Sequence, residues 1–266
     1  MSLLLLPNTA GSAASSVSVS NGSSASSYDP ENIITGSRAR MWRSTATSGN
    51  VRIGYLLDED VTVDHVVIAR ADKLVTENGL RVRISDRDSG GSWSELVSPD
   101  FNTLDSSDLI GKYSQDLVAA VSPGNERGYA IFSSVSSGTE AVQFAKFYAS
   151  LAFDMGVDPI LQSPPSWRDT PVRARPLKGW FSCETEQEIS ITWNGVTAAK
   201  AAAFEAIPRL LSWPFFLYES DASNIRCFEH RLEHVIIAEP YTVERLNNGY
   251  RNISVTFRRL THWEVF

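Results

Sequence analysis

The sequence predicts a mainly β fold in two parts, a β-sandwich followed by a smaller β-rich domain with one α-helix. Three observations support this prediction. Branched and aromatic residues alternate with polar ones along several segments, prolines cluster near residue 165, and a single alanine-rich segment carries strong helix signals. A chain of 266 residues is long enough for two cores. We therefore expect the first domain at residues 1–165 and the second at residues 166–266.

The clearest strands of the first domain are two alternating runs, Val51–Leu57 and Val61–Ala69. The acidic tripeptide Asp58–Asp60 separates them, which predicts a β-hairpin. Further strands are predicted at Leu80–Ser85, which a polar turn cluster follows, and at Gly128–Ser133.

Two other segments of the first domain are less regular. Residues 9–27 are rich in serine, alanine and glycine, which predicts a partly flexible linker with a short strand around Val17 and Val19. The bulky residues of Ala145–Phe153 fit one face of a helix and equally the alternation of a strand. The aromatic content of this segment favours the strand.

The second domain begins after a proline-rich break between Gly156 and Pro176, which opposes both a helix and a central strand. An alanine-rich helix is expected at about residues 197–207, with Thr197 as its N-cap and Pro208 limiting its far end. Asn194-Gly195 predicts a turn just before it. Strands are predicted at Gly179–Glu184, Glu188–Trp193, Phe215–Tyr218, Leu232–Ala238, Tyr241–Arg245 and Ile253–Leu260.

The composition excludes some classes of function. The chain has 24 Lys and Arg against 31 Asp and Glu, a net charge of −7, and this balance opposes DNA or RNA binding because neutralisation of phosphates dominates such affinity. No apolar run reaches the roughly 18 residues of a membrane span.

The apolar start, Leu3–Leu6, is too short for a signal peptide, so synthesis in the cytoplasm is expected. Cys183 and Cys227 are expected to be buried thiols and not a disulfide.

No catalytic motif stands out, so the sequence predicts a protein that is not an enzyme. Asp58–Asp60 offers carboxylates of the kind that glycosidases use, but a solvated hairpin turn accounts for them. His230 and His234 are four residues apart, yet a strand holds two such imidazoles roughly 13 Å from each other. We therefore expect surface histidines and no zinc site.

Neither a resident metal nor a cofactor is predicted. Asp29, Glu31 and Asn32 carry oxygen atoms of the kind that Ca²⁺ prefers, but they lack the regular spacing of a dedicated calcium loop. Calcium at this loop is kept as an alternative.

The segments Ser24–Asn32, Trp42-Arg-Ser44, Val51–Ala69 and Leu80–Ser85 form a pattern that extends over residues of about 12–160. This pattern resembles the discoidin, or galactose-binding-like, jelly roll. The resemblance implies loops that hold a cell-surface glycan, and the candidate ligand-binding residues are Trp93, Asp29, Asn32, Arg38 and Arg43. Trp93 lies in the polar, glycine-rich segment Gly90-Gly-Ser-Trp-Ser94, where an exposed aromatic ring is expected. Discoidin lectins usually clamp the ends of the sandwich with a disulfide, and no cysteine precedes Cys183 here, which argues against the extracellular branch of that family.

A second set of segments comprises Gly179–Trp193, the alanine-rich helix, Trp213–Tyr218 and Val235–Leu260. Following a jelly roll, this layout resembles minor tail proteins of long-tailed bacteriophages, in which a compact tail-tube-like unit forms the belt domain of distal tail proteins. The resemblance implies a structural protein of the virion, located at the distal tail or tail tip, that connects the tube to the tip apparatus.

That role implies specific partners, namely other tail proteins and further copies of this chain in a ring of threefold or sixfold order. Phe215, Phe216 and Tyr218 are the expected assembly interface, because they offer apolar area beside strand edges. The alternative function is a carbohydrate-binding module that recognises a glycan of the host surface. The two functions are compatible, since a tail protein can also bind glycan.

Overall fold

A computed structural model of the chain describes residues 3–20, 28–34, 41–45, 49–69, 81–87, 90–97, 117–135, 141, 143–161, 166–171, 183–206, 215–219, 232–238 and 240–259. Contacts between residues divide it into two units. The first unit consists mainly of Leu6–Ala152, and the second comprises the described parts of Met1–Leu5, Phe153–Glu229 and Glu233–Leu260.

The predicted fold class is confirmed: the chain is mainly β, with a β-sandwich followed by a smaller β-rich unit that contains a helix. In chain order the elements up to Ala152 are β1 (Leu3–Leu6), α1 (Thr9–Ala13), β2 (Ala14–Ser20), a 3₁₀ turn (Pro30–Ile33), β3 (Trp42–Arg43), β4 (Gly49–Ala69), β5 (Arg81–Arg87), β6 (Trp93–Val97), β7 (Leu117–Val135), β8 (Gln143–Phe144) and β9 (Lys146–Ser150). They continue with β10 (Phe153–Asp154), β11 (Pro159–Leu161), β12 (Ser166–Pro171), β13 (Cys183–Val196), α2 (Ala198–Ala206), β14 (Phe215–Glu219), β15 (Leu232–Ile237), β16 (Thr242–Arg245) and β17 (Arg251–Arg259).

The first unit contains a large antiparallel sheet in the order β2-β4-β7-β5-β6, with β9 also paired to β4. Strands β3 and β8 form a small second sheet that contributes Trp42 and Phe144, whose rings lie 5.5 Å apart, to the same core. The large sheet contributes Tyr55, Tyr129 and Phe147 to that core. Both sheets therefore bury their apolar faces against one core, as the layers of a sandwich do.

The predicted hairpin at Asp58–Asp60 is wrong, because β4 runs without a turn from Gly49 to Ala69. Strand β7 pairs with β4 on both sides of the acidic tripeptide, and the register shifts between Leu56 and Val61. A bulge of this kind absorbs extra residues while the ladder continues beyond it. The tripeptide is exposed there, and Asp60 Oδ1 accepts a hydrogen bond from Arg127 Nε at 2.9 Å.

The serine-rich start of the first unit is more ordered than the sequence predicted. Helix α1 and strand β2 occupy residues 9–20, while residues 21–27 lie outside the described part. Asn8 caps α1 through Oδ1 and donates from Nδ2 to the Tyr55 hydroxyl at 3.0 Å. That hydroxyl in turn donates to the carbonyl oxygen of Phe147, and burial raises the pKa of Tyr55. The strand predicted within Ala145–Phe153 is confirmed as β9.

The second unit is built on one antiparallel sheet. Its order is β10-β1-β14-β15-β17-β13-β11, with β12 paired to β13 and β16 paired to β17. The apolar start of the chain, Leu3–Leu6, is the buried strand β1 of this sheet. The division between the units follows Ala152, earlier than the expected boundary at residue 165, because β10 and β11 already pair with strands of this sheet.

Strands β13 and β12 differ from what the local sequence signals predicted. The strands expected at Gly179–Glu184 and Glu188–Trp193 are joined in the single strand β13, as far as they are described, because β12 pairs with Cys183–Glu188 and β17 pairs from Glu188 onward. Asn194-Gly195 lies at a register shift within β13 and forms no hairpin turn. The proline-rich break contains β12, which ends at Pro171 and pairs with β13. Proline is tolerated at the end of an edge strand.

The alanine-rich helix is confirmed as α2, within one residue of the expected bounds at each end. Thr197 Oγ1 accepts a hydrogen bond from the Lys200 amide at 3.3 Å, as an N-cap does. Phe204 is fully buried and meets Tyr241 edge to face, with ring centroids 5.1 Å apart. None of the helices in the described ranges has the length and apolar character to cross a membrane.

Candidate functional site

Asp29 and Asn32, two of the predicted ligand-binding residues, both hold the backbone around the 3₁₀ turn. Asp29 Oδ1 accepts a hydrogen bond from the Glu31 amide at 2.9 Å and so caps the turn. Asn32 is buried, and its Nδ2 donates to the carbonyl oxygen of Met41 at 2.9 Å. The carbonyl oxygen of Asn32 accepts from the buried Lys146 ammonium. These contacts give both side chains a structural role, and their part in ligand binding stays a prediction.

Of the two arginines in the predicted set, the structure describes only Arg43. Arg43 is exposed on β3, where it lies opposite Gln143 of β8. Arg38 lies outside the described residues. A glycan site around these four residues stays a prediction.

Trp93, the fifth predicted residue, lies in a cluster that the sequence did not reveal. It begins β6 directly opposite Arg87 of β5, and both side chains are partly exposed. The Arg52 guanidinium of β4 lies over the indole, with Cζ 4.5 Å from the ring centroid. The indole also reaches β7, since a Cβ placed on Gly128 would be 3.2 Å from Trp93 Cη2. We call Arg52, Arg87, Trp93 and Gly128 the Trp93 surface.

The Trp93 surface lies on the face of the large sheet that is turned away from the core. Along β4 the side chains of Val51, Ile53 and Tyr55 are buried in the core. Because successive side chains of a strand point to opposite faces, Arg52 projects to the other side. Arg52, Arg87 and Trp93 each remain partly exposed there.

Two glycines make room for this arrangement. A Cβ on Gly128 would lie 2.8 Å from the carbonyl oxygen of Tyr55 and 3.1 Å from Arg87 Cβ. Gly91, in the turn between β5 and β6, has a φ of +86°, and a Cβ there would lie 2.8 Å from Arg87 Nη2. Arg87 Nε donates to the carbonyl oxygen of Gly91 at 3.3 Å. The guanidinium of Arg87 is thus folded against its own turn.

The electrostatics of the Trp93 surface are dominated by two cations. Burial, and then the charge of Arg87, lower the pKa of the Arg52 guanidinium. Arginine nevertheless stays protonated in proteins. The Nε atom of Arg52 is buried without a hydrogen-bond partner, and within the described residues the Arg52 side chain forms no ion pair. The surface therefore presents an aromatic ring and two guanidinium groups to solvent.

Sequence reasoning singled out Trp93 but missed Arg52, Arg87 and Gly128. A signal for Arg52 exists, because it interrupts the apolar face of β4 with an outward charge beside Val51 and Ile53. Nothing local connects it with Trp93. The contact depends on the order of β4, β7, β5 and β6 in the sheet.

The histidines that the structure describes are His65 and His234. His234 was expected at the surface, but it is buried and stacks on Phe216 with ring centroids 4.5 Å apart. His230 lies outside the described residues, and His65 Nδ1 is 2.9 Å from Asp64 Oδ1. Among the residues that the structure describes, no group of three His, Cys, Asp or Glu side chains is placed to hold a metal ion.

The predicted assembly residues lie on β14. Phe215 and Phe216 are fully buried within the second unit, and Tyr218 is partly exposed. Phe215 packs edge to face on Phe257 at 5.9 Å. The two phenylalanines therefore stabilise the unit itself, and their role as an interface between copies stays a prediction.

The second unit also has a shallow cavity of about 290 Å³ between α2 and strands β16 and β17. Helix alanines line one side, and Glu205, Arg245 and Arg251 supply its charges. Arg251 Nη1 donates to the carbonyl oxygens of Gly249 and Tyr250, so its guanidinium is partly engaged by backbone.

Comparison with known proteins gives only distant likenesses. No family model matches the chain, and none of the curated proteins is similar in sequence. Among solved structures, chitosan-binding module 1 of a chitosanase/glucanase from Paenibacillus sp. IK-5 is 14% identical, with a TM-score of 0.41 over 55% of this chain and 99% of that one. A pectin-binding carbohydrate-binding module is 17% identical, with a TM-score of 0.37 over 50% and 88%.

CBM32-3, from a family 31 glycoside hydrolase of Clostridium perfringens, is 15% identical, with a TM-score of 0.39 over 53% of this chain and 93% of that one. At these TM-scores the likenesses are too distant to assign a function. None of these three structures is described as a phage tail protein.

Proposed function

We propose that the first unit binds carbohydrate at the Trp93 surface and that it acts by binding and not by catalysis. The observation that carries the proposal is the stack of the Arg52 guanidinium on the partly exposed Trp93 indole, on the outer face of the sheet. A partly exposed aromatic ring beside two guanidinium groups offers a ligand both an apolar contact and hydrogen-bond donors.

A sugar has the chemistry that fits this surface. The C–H groups on one side of a pyranose ring pack on an aromatic face, and its hydroxyl oxygens accept hydrogen bonds. The part of the Trp93 ring that Arg52 leaves open supplies the apolar contact, and the guanidinium groups of Arg52 and Arg87 next to it supply donors.

The scaffold favours binding because the groups are held in place before a ligand arrives. Arg52, Arg87 and Trp93 stand on three strands of one antiparallel sheet, and Gly128 on a fourth lets the indole lie close to the backbone. Fixing the side chains in advance lowers the entropy lost on binding.

A titration of the full chain against neutral and acidic oligosaccharides of matched length tests the proposal. We expect measurable binding to at least one oligosaccharide and its loss in Trp93→Ala, because the apolar contact is removed. Tyr250→Ala is the matched control, since Tyr250 is an exposed aromatic on the second unit. Binding that survives Trp93→Ala, or no binding to any sugar in the panel, contradicts the proposal.

The second candidate function is the structural tail protein indicated by the layout of the sequence. It is supported by strand β16, which among the described residues pairs with β17 and with no other strand. An unpaired strand edge is a surface on which a second copy adds a strand. Light scattering of the purified chain, followed by electron microscopy, tests for a ring. A strictly monomeric chain at all concentrations contradicts this function.

A further inference from the structure

The two guanidinium groups of the Trp93 surface lack a protein anion in the described part of the chain. The contact described for the Arg52 guanidinium is its stack on the Trp93 ring. The buried Nε atom of Arg52 has no hydrogen-bond acceptor. Arg87 donates to the carbonyl oxygen of Gly91, which is a neutral partner. By contrast, Arg127 on the same unit is paired with the carboxylate of Asp60.

Arg52 and Arg87 both border Trp93, and like charges that lie close together repel, which bears on the guanidinium of Arg52. Its pKa is lowered by burial and then by the charge of Arg87. Because a guanidinium does not give up its proton, an anion bound between the two groups would offset the repulsion. The chain as a whole is acidic, so an unneutralised pair of arginines is not a consequence of an excess of positive charge.

We propose that the sugar bound at the Trp93 surface carries a carboxylate, as a uronic acid does, and that this carboxylate lies against Arg52 and Arg87 while the sugar ring packs against the part of the Trp93 indole that Arg52 leaves open. This inference rests on the proposed carbohydrate-binding function and narrows its ligand class. The planar fork of a guanidinium matches a carboxylate with two parallel hydrogen bonds, and such bonds are stronger than those to a hydroxyl.

The sharpest probe is a pair of ligands that differ in charge and in one methyl group per carboxyl. A galacturonate oligosaccharide and its methyl ester have the same rings, but only the acid form is anionic. We expect the acid form to bind at least about tenfold more tightly, as charge-assisted hydrogen bonds predict. Added salt should weaken binding of the acid form and leave the ester unaffected.

Substitutions assign the preference to its residues. Arg52→Gln and Arg87→Gln should each bring the two affinities to within about twofold, because a neutral amide forms weaker hydrogen bonds to a carboxylate. Arg127→Gln removes the same charge from the same unit and should keep the preference. Thermal unfolding of each variant checks that the sheet is intact, and Arg87→Lys provides a second variant that keeps the charge and loses the planar fork.

The outcomes separate the two proposals. Equal binding of acid and ester overturns the inference and leaves carbohydrate binding in place. A preference for the acid that persists in both glutamine variants also overturns the inference. If neither form and no other sugar binds, both proposals are wrong. If a single-stranded oligonucleotide binds more tightly than the acidic sugar, the preferred ligand is a different polyanion, and both proposals are wrong.

Discussion

Trp93 and Trp193 both lie in antiparallel strands, yet their surroundings are opposite. Trp193 of β13 is fully buried in the second unit and meets Phe257 edge to face at 6.4 Å. Trp93 of β6 is partly exposed on the first unit, and its neighbour is the Arg52 guanidinium. Aromatic neighbours fill a core. A cation over a partly exposed ring leaves part of the ring and the cation accessible to a ligand.

The comparison extends to how each unit arranges its aromatic residues. In the second unit Phe204 packs on Tyr241 and Phe215 packs on Phe257. Each of these rings is therefore in contact with another ring. On the outer face of the first unit, glycine replaces a side chain beneath Trp93. One tryptophan therefore stabilises a fold, and the other occupies a surface that a ligand can share.

The largest effect is expected from Trp193→Ala. Truncation of a buried tryptophan leaves a cavity, and the free energy of unfolding of the second unit should fall by about 3–5 kcal/mol. Urea denaturation followed by circular dichroism measures the change. Trp93→Ala is the matched substitution on the first unit and should lower stability less, because its ring is partly exposed. Equal losses for the two variants would break the comparison.

A smaller loss is expected from Gly128→Ala. The new Cβ meets the Tyr55 carbonyl oxygen, Arg87 Cβ and the Trp93 ring at once, so the first unit should lose about 1–3 kcal/mol as for other overpacked sites. Carbohydrate binding should weaken too, because the indole is displaced. In the double variant with Trp93→Ala the stability losses should sum to less than the two single losses, since one of the clashes is gone. Full additivity contradicts the contact.

Thr197→Ala tests the second unit at a position away from the proposed ligand surface. The substitution removes the hydroxyl that accepts from the Lys200 amide, and the loss should be about 1 kcal/mol, typical of an N-cap. Thr197→Ser keeps the acceptor and should be nearly neutral. Chemical denaturation measures both variants, and sugar titration should show no change in either. An effect on binding would contradict the assignment of the ligand surface to the first unit.

The smallest effect is expected from Arg127→Gln. Its ion pair with Asp60 is exposed on both sides, so its loss should change stability by about 0.2–1 kcal/mol. Thermal unfolding at low and high salt measures the difference, which should shrink as salt is added. A loss as large as that of Gly128→Ala would mean that the pair is buried in solution.

Local signals predicted some elements well because their causes are local. The alanine-rich segment, its Thr197 cap and its terminating proline all act within a few residues of one another, and α2 is found there. Period-two alternation likewise placed β17 and β5, because it reflects a strand with one face buried. The local signals failed at Asp58–Asp60 and Asn194-Gly195, where a neighbouring strand continued the ladder past a turn signal.

The candidate site was less predictable than the fold. Trp93 was identified from its polar, glycine-rich surroundings, but Arg52 lies on a strand far away in the chain. Separation along the chain also explains why Phe215 and Phe216 form an apolar patch in the sequence but are buried in the structure. Phe215 packs on Phe257 of β17, and Phe216 stacks on His234 of β15. Burial and partners depend on which strands become neighbours.

The sequence by itself determined that this chain is mainly β, where its helix lies, that it is acidic, and that Trp93 stands beside a polar turn. These properties follow from side-chain chemistry and short-range spacing. Only the tertiary structure decided that Leu3–Leu6 joins the sheet of the second unit and that Arg52, Arg87, Trp93 and Gly128 meet on one face. The order of strands in a sheet is set by contacts between distant segments, and no local pattern encodes it.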